Sequence, residues 1–139
     1  MQEGEEIQGT VSLWVGFSPS QDALENYVDV DYTTNDHPHL SPLAKDFGTG
    51  WYDHDFMDTT FHTWSTRSVA DLLRGCSYDF LIVPKFVALC GEYLPTAVNS
   101  AVLLYNFWHS GSTGPGANAG GPVILQYMGS ITIEMPWPD

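Results

Sequence analysis

Three stretches of apolar and β-branched residues predict strands in this chain. Residues 10–17 (TVSLWVGF) are long enough for a buried strand, and residues 99–109 (NSAVLLYNFWH) carry the clearest strand pattern. A third strand is predicted over 123–135, with a bend at Gly129, because a glycine inside a strand marks a bulge or a tight bend. The intervening segment, 110–122, holds five glycines and two prolines, so we expect a long Gly-rich loop that closes a C-terminal hairpin.

Two serine–proline pairs mark the starts of predicted helices. Ser18 is the expected N-cap of a helix over 19–28, where apolar residues recur at helical spacing on one face. A second, shorter helix is predicted over 41–48, with Gly48 as its C-cap.

The middle of the chain is more ambiguous. Residues 52–64 show a helical and a strand pattern at once, and we expect a strand near 56–63. A helix with capping residues at both ends is predicted over 65–75. Pro84 then interrupts an apolar run, so either a helix begins near this proline or a kinked helix covers 79–91.

This order of strands and helices predicts an α+β fold, with helices packed on a mainly antiparallel sheet. The length of 139 residues suits one domain, which we expect to span 10–139 after a flexible acidic tail over 1–9. A hydrophobic content of 43% with 15% charged residues is typical of a globular protein and argues against disorder.

The chain is strongly acidic, and the acidity is concentrated in its first part. It has 17 Asp and Glu against four Lys and Arg, a net charge of −13. Twelve of the acids and one base lie in residues 1–58, which gives that segment a net charge of −11. Such a field repels phosphate backbones and anionic membranes, so we expect no direct binding to nucleic acid or membrane. A basic protein would be attracted, although acidity can also serve solubility alone.

The cysteines and the first residues of the chain indicate in which cellular compartment the protein is expected. Cys76 and Cys90 lie among apolar residues without a CxxC pair, and we expect buried thiols in a reducing environment. The first ten residues lack the apolar centre of a signal peptide, and no apolar run approaches the ~20 residues of a membrane-spanning helix. We therefore expect a cytoplasmic protein.

The segment 51–58 (WYDHDFMD) combines acids, a histidine and aromatic residues, which fits two kinds of site. His54, Asp55 and Asp58, with His37 or His39, are residue types that bind zinc, iron or manganese in a hydrolase. Their spacing matches no defined metal motif, and the chain has neither a P-loop nor a nucleophile elbow. An aromatic residue beside acids on a loop also has the composition of a protein interface. The other aromatics, such as Phe80, are expected mainly in the core.

Several short motifs together resemble one family of bacterial immunity proteins of polymorphic toxin systems, the family numbered twenty-two. They are VSLWVG, ENYV, SPLAKDFG, WYDHDF, GCSY and AVLLYNF, and they fall within residues 10–108. The resemblance implies a small cytoplasmic α+β protein that binds and neutralises a cognate toxin domain, often a nuclease. It implies no enzyme activity and no cofactor, and it transfers no set of functional residues to this chain.

Charge and resemblance together lead to a hypothesis for the site. We expect an acidic patch around Trp51 to dock on a basic toxin, with no catalytic or metal-binding residue. The predicted acids of the patch are Asp29, Asp31, Asp36, Asp53, Asp55 and Asp58. A metal-dependent hydrolase using His54, Asp55 and Asp58 is the alternative, and an adaptor without a toxin partner is a third possibility.

Overall fold

The computed structural model describes residues 4–29, 40–50, 52, 56–109, 111, 113–115 and 122–133. Within these ranges the chain forms strands and helices in the order β1 Gly4–Phe17, α1 Gln21–Val28, α2 Pro42–Phe47, β2 Met57–Ser68, α3 Val69–Leu73, α4 Asp79–Cys90, β3 Tyr93–His109, β4 Gly114–Pro115 and β5 Ile124–Thr132. The fold is α+β, and the sheet is antiparallel, as the sequence predicts.

The strand order in the sheet is β2-β3-β1-β5-β4, with β1 at the centre. The predicted hairpin between the strands at 99–109 and 123–135 is therefore wrong, because β1 lies between them and pairs with both. The physical reason is that β1 is apolar on both faces: Leu13 and Trp14 point to opposite sides and both are buried. The Gly-rich segment does turn back onto β5, but only as the two-residue strand β4.

Helices cover both faces of the sheet. On one face, α3 and α4 pack against side chains such as Leu13 and Leu103, and we call this side the α3–α4 face. On the other, α1 and α2 pack against Trp14, Leu104 and Tyr127, and we call it the α1–α2 face. Successive residues of a strand point to opposite sides, so each central strand contributes to both cores.

Capping serines fix the two helices of the α1–α2 face. The Ser41 hydroxyl accepts the backbone N–H of Ala44 at 3.1 Å, and α2 ends at Gly48 with a φ of 66°, which confirms this predicted helix and its caps. In α1 the N-cap is Ser20, which accepts the N–H of Ala23 at 3.0 Å. The predicted cap, Ser18, is two residues too early.

Strand β1 begins earlier than the predicted start at residue 10. It starts at Gly4, opposite His109, so residues 4–6 of the expected tail are paired with β3. A bulge interrupts this pairing at Asn106, which has a φ of 58° and whose Oδ1 accepts the N–H of Gly9 at 2.9 Å. Asparagine adopts this left-handed conformation more readily than most residues, so the bulge is matched to its sequence.

Strand β2 confirms the predicted strand at 56–63 but continues to Ser68. It therefore includes residues 65–68, which the sequence analysis assigns to a helix, and α3 is left with only Val69–Leu73. The extra residues include Thr66, whose β-branched side chain suits a strand.

The structure also answers two questions about the C-terminal half: how the helix passes Pro84 and whether β5 bends at Gly129. Of the alternatives for 79–91, the structure has a single helix that continues through Pro84. Pro84 lies on the exposed side of α4, where the carbonyl group that it leaves without a helical donor can be hydrated. The predicted bend in β5 is present: Gly129 has a φ of 131°, and the register with β1 shifts beside it.

Candidate functional site

The structure describes two of the seven residues predicted for the acidic patch. Asp29 and Asp58 are described, whereas Asp31, Asp36, Trp51, Asp53 and Asp55 lie outside the described residues. His37, His39 and His54 of the metal alternative also lie outside them. Of the predicted patch, the structure therefore locates only Asp29 and Asp58.

Asp58 is half-buried on β2, opposite Leu103, and so belongs to the α3–α4 face. Its Oδ2 accepts the backbone N–H of Ser77 at 2.8 Å. The Tyr105 hydroxyl donates to the carbonyl of Ser77 at 2.7 Å and lies 3.2 Å from the same Asp58 oxygen. These bonds tie β2 and β3 to the turn between α3 and α4, which is a structural use of the carboxylate.

The same charge affects a neighbouring thiol. Burial raises the pKa of Cys76 to about 12, and the charges of Asp58 and then Asp79 add to this shift. Asp79 in turn accepts the N–H of Gly75 at 3.0 Å. The turn between α3 and α4 is thus held by two carboxylates that bond to its backbone.

Asp29 lies on the other side of the molecule. It is exposed and follows α1 directly as its C-cap, so it belongs to the α1–α2 face. Burial raises the pKa of the nearby Tyr52 hydroxyl above its ordinary value, and the Asp29 charge contributes to the same shift. The structure therefore places Asp29 and Asp58 on opposite faces of the sheet and does not bring them into one patch.

A buried tyrosine holds the two helices of the α1–α2 face together. The Tyr52 hydroxyl donates to the carbonyl of Val28 at 2.7 Å, and its oxygen lies 2.6 Å from the Ser41 hydroxyl. The Tyr52 hydroxyl donates its only proton to the Val28 carbonyl, so the Ser41 hydroxyl is the donor in the bond between the two hydroxyl groups. This one side chain thus connects the end of α1, next to Asp29, with the start of α2.

The α1–α2 face is acidic. Asp22, Glu25 and Asp29 are exposed on or just after α1, and Asp46 is half-buried on α2, against one base on these two helices, Lys45. Asp46 accepts the Tyr27 hydroxyl at 2.6 Å, and burial together with this carboxylate raises the pKa of Tyr27 above its ordinary value. The four carboxylates lie along two adjacent helices.

An open groove runs beside these carboxylates, and the sequence analysis did not predict it. It has a volume of about 490 Å³ and lies between α1, α2 and the start of β5. Tyr27, Pro42 and Val123 line its apolar wall, and Asp46 and Lys45 provide charges. Such a groove can receive a long side chain whose stem is apolar and whose tip is charged.

The α3–α4 face has a different surface, in which the two acids of its helices are matched by two bases. On α3, Asp71 pairs with Arg74 at 2.8 Å, and on α4, Asp79 is accompanied by Lys85. This face instead exposes large apolar side chains, among them Phe80, which is 68% exposed and not in the core as predicted. The signal for it is in the sequence: α4 (DFLIVPKFVALC) has two charged residues in twelve, too few for a polar outer side.

Two other kinds of site find no support among the described residues. Within the described ranges, no three His, Cys, Asp or Glu side chains come together in a group that could hold a metal ion. The helices that the structure describes are all too short or too polar to cross a membrane. The residues of the metal alternative, apart from Asp58, lie outside these ranges.

Comparison with known proteins gives one match. No curated protein matches the chain, and no solved structure does. The family model described as Immunity protein 22 matches residues 11–134, from the centre of β1 to just beyond β5. The match confirms the resemblance and extends it past residue 108, the limit of the motifs in the sequence. The chain belongs to the Immunity protein 22 family.

Proposed function

We propose that this chain neutralises a cognate toxin domain by binding to it, without catalysing a reaction of its own. Membership of the Immunity protein 22 family is the observation that carries this proposal. The partner is a protein, and inhibition requires only that the bound immunity protein cover or distort the toxin's active site.

We further propose that the toxin is basic, in keeping with a nuclease, and that it docks on the acidic α1–α2 face. The support is the separation of charge: exposed Asp22, Glu25 and Asp29 lie together on one face, while the two acids of the helices on the opposite face are matched by two bases. A nuclease binds a polyanion and therefore presents basic groups. Complementary charge steers such a partner to this face and raises the rate of association.

The groove beside Asp46 is suited to a basic anchor of the toxin. The aliphatic stem of an arginine or lysine would pack on Tyr27 and Pro42, and its charged tip would reach the Asp46 carboxylate. Anchors of this kind, a few among many contacts, dominate the energy of protein interfaces. Asp31, Asp36, Trp51, Asp53 and Asp55 remain predicted contacts, whereas Asp58 is bonded within the fold on the other face.

The first test is a pull-down from the native host with this chain as bait, at low and at high salt. We expect one basic toxin domain to be retained at low salt and to be weakened at high salt, because salt screens surface charges. Retention of a partner without a toxin activity would favour an adaptor instead.

Matched charge reversals then locate the interface. Glu25→Lys changes an exposed acid on the α1–α2 face, and Glu92→Lys changes an exposed acid between α4 and β3. Both substitutions alter the net charge equally. We expect Glu25→Lys to slow association with the purified toxin and to reduce protection of cells that express it, while Glu92→Lys leaves both nearly unchanged. Equal effects of the two variants would mean that the toxin binds elsewhere.

A further inference from the structure

The outer side of α4 is an apolar stripe that the fold leaves uncovered. Phe80, Pro84 and Ala88 are spaced by four residues and are all exposed, so they form one row along the helix. Phe80 is the most exposed large apolar side chain that the structure describes, and Leu89 beside the row is 49% exposed. A solvent-facing helix side is normally polar, so a row of this kind marks a protein contact.

An open groove lies next to the C-terminal half of the same helix. Ala88 and Leu89, with Lys85 beside them, form one wall, and the other wall is formed by Trp108 on β3 and residues 130–132 on β5. The volume is about 610 Å³, and Trp108 is 40% exposed. The surface of α4 therefore carries a projecting aromatic side chain at its N-terminal end and an apolar recess at its C-terminal end.

From this arrangement we propose that two copies of the chain associate through α4, around a two-fold axis near Pro84. Phe80 and Ala88 lie equally far along the helix on either side of Pro84. A two-fold axis there makes the two helices antiparallel and brings Phe80 of each copy to Ala88 and the adjoining groove of the other. A symmetric dimer needs a surface that is complementary to itself. The outer side of α4 meets this requirement, because the Phe80 ring of each copy faces the groove beside Ala88 of the other. Rows spaced by four residues also interdigitate in the commonest class of helix packing.

Charge favours a second copy over a basic protein as the occupant of this surface. Two chains of net charge −13 repel each other, and the repulsion is weakest where few acids lie between them. On the outer side of α4 the charged residue is Lys85, because Asp79 is half-buried and bonded to Gly75. With Lys85 as its exposed charge, this side of α4 offers a basic toxin no exposed carboxylate to pair with. The α1–α2 face lies on the opposite side of the sheet, so both copies keep it free.

Sedimentation velocity over a range of protein concentrations tests the proposal without any toxin. We expect the mass to rise towards twice the 15.4 kDa of one chain. Phe80→Lys should hold the protein at the monomer mass, because it removes the ring and places a second positive charge beside Lys85 in the recess of the other copy. Phe17→Lys is the matched control, since Phe17 is similarly exposed but lies away from α4, and it should still dimerise.

A complementation experiment tests the geometry. Ala88→Trp fills the recess but keeps the projecting ring, whereas Phe80→Lys removes the ring but keeps the recess. Each variant alone should be monomeric, and an equimolar mixture should form a heterodimer through the one remaining ring-and-recess contact. A wild-type protein that stays monomeric at every concentration would overturn the proposal. So would a dimer that survives Phe80→Lys with its circular dichroism spectrum unchanged.

Discussion

The Tyr105 hydroxyl lies 3.2 Å from Oδ2 of Asp58, and both groups bond to the main chain of Ser77. Asp58 comes from β2, Tyr105 from β3 and Ser77 from the turn before α4. One carboxylate and one phenol thus connect two strands to the helical layer that covers them. The position of α4, and of the surface that it exposes, depends on this connection.

Removal of the Asp58 carboxylate should therefore cost stability more than binding. Asp58→Ala leaves the Ser77 N–H and part of the Tyr105 bonding unsatisfied, and we expect a loss of about 1–3 kcal/mol in the free energy of unfolding. Urea denaturation followed by tryptophan fluorescence measures it. Asp71→Ala, which removes an exposed ion pair, is the control and should cost much less. Loss of toxin binding with unchanged stability would instead place Asp58 in the interface.

Stability should fall in alkali. Burial raises the pKa values of Tyr27 and Tyr105 above the ordinary 10.0, with Asp46 and Asp58 adding to the shifts. The folded protein keeps these phenolic protons at a pH where the unfolded chain loses them. Their stabilising contribution is thus complete below pH 10 and decreases as the pH rises beyond it. Melting temperatures from pH 8 to 12 should show the decline, and Tyr27→Phe should make it shallower; a flat profile would contradict the prediction.

The two cysteines should be poor nucleophiles in the folded protein. Burial raises the pKa of Cys76 to about 12 and that of Cys90 above its ordinary value, so little thiolate exists at neutral pH. We expect slow reaction with a thiol reagent such as DTNB at pH 8 and fast reaction of both thiols in guanidinium chloride. Cys76→Ser and Cys90→Ser separate the two signals. Rapid labelling of native protein would show that the α3–α4 layer opens readily.

Position 16 requires a glycine because the neighbouring strand β5 leaves no room for a side chain. A Cβ atom built on it would lie 1.9 Å from the carbonyl oxygen of Ile124, which belongs to the neighbouring strand and cannot move aside alone. Gly16→Ala should therefore destabilise at or above the upper end of the ~1–3 kcal/mol typical of overpacking. Gly48→Ala is the comparison: a Cβ there meets nothing, and only the φ of 66° is unfavourable, at about 1–2 kcal/mol. Chemical denaturation of both variants measures their free energies of unfolding, and we expect the larger loss for Gly16→Ala.

Toxin binding and self-association should respond oppositely to salt. Screening weakens the attraction between an acidic face and a basic toxin, but it also weakens the repulsion between two chains of net charge −13. We expect the dissociation constant for the toxin to rise, and that for the dimer to fall, between low and moderate salt. Titration calorimetry measures the dissociation constant for the toxin, and sedimentation in the same buffers measures that for the dimer. A change of both constants in one direction would mean that charge does not distinguish the two surfaces.

Local signals in the sequence predicted the elements better than their arrangement. The cap at Ser41 and the left-handed Gly48 depend on neighbouring residues, and the sequence contains all of them. The place of β1 between β3 and β5 depends on pairing across most of the chain, which no local pattern encodes. The same holds for Asp58, whose partners at 77 and 105 are distant in sequence. The acidity was visible, but the gathering of four carboxylates on the α1–α2 face follows from the packing of α1 and α2.

The central place of β1 also has a consequence for synthesis. This strand leaves the ribosome before either of its neighbours, and its partner β5 emerges more than a hundred residues later. Until then the edge of β1 that pairs with β5 is open, although β3 has already been made, and neither core is complete, since β5 contributes side chains to each. Folding of the sheet therefore follows translation of β5, and a chain interrupted before β5 exposes a strand edge and two unfinished cores.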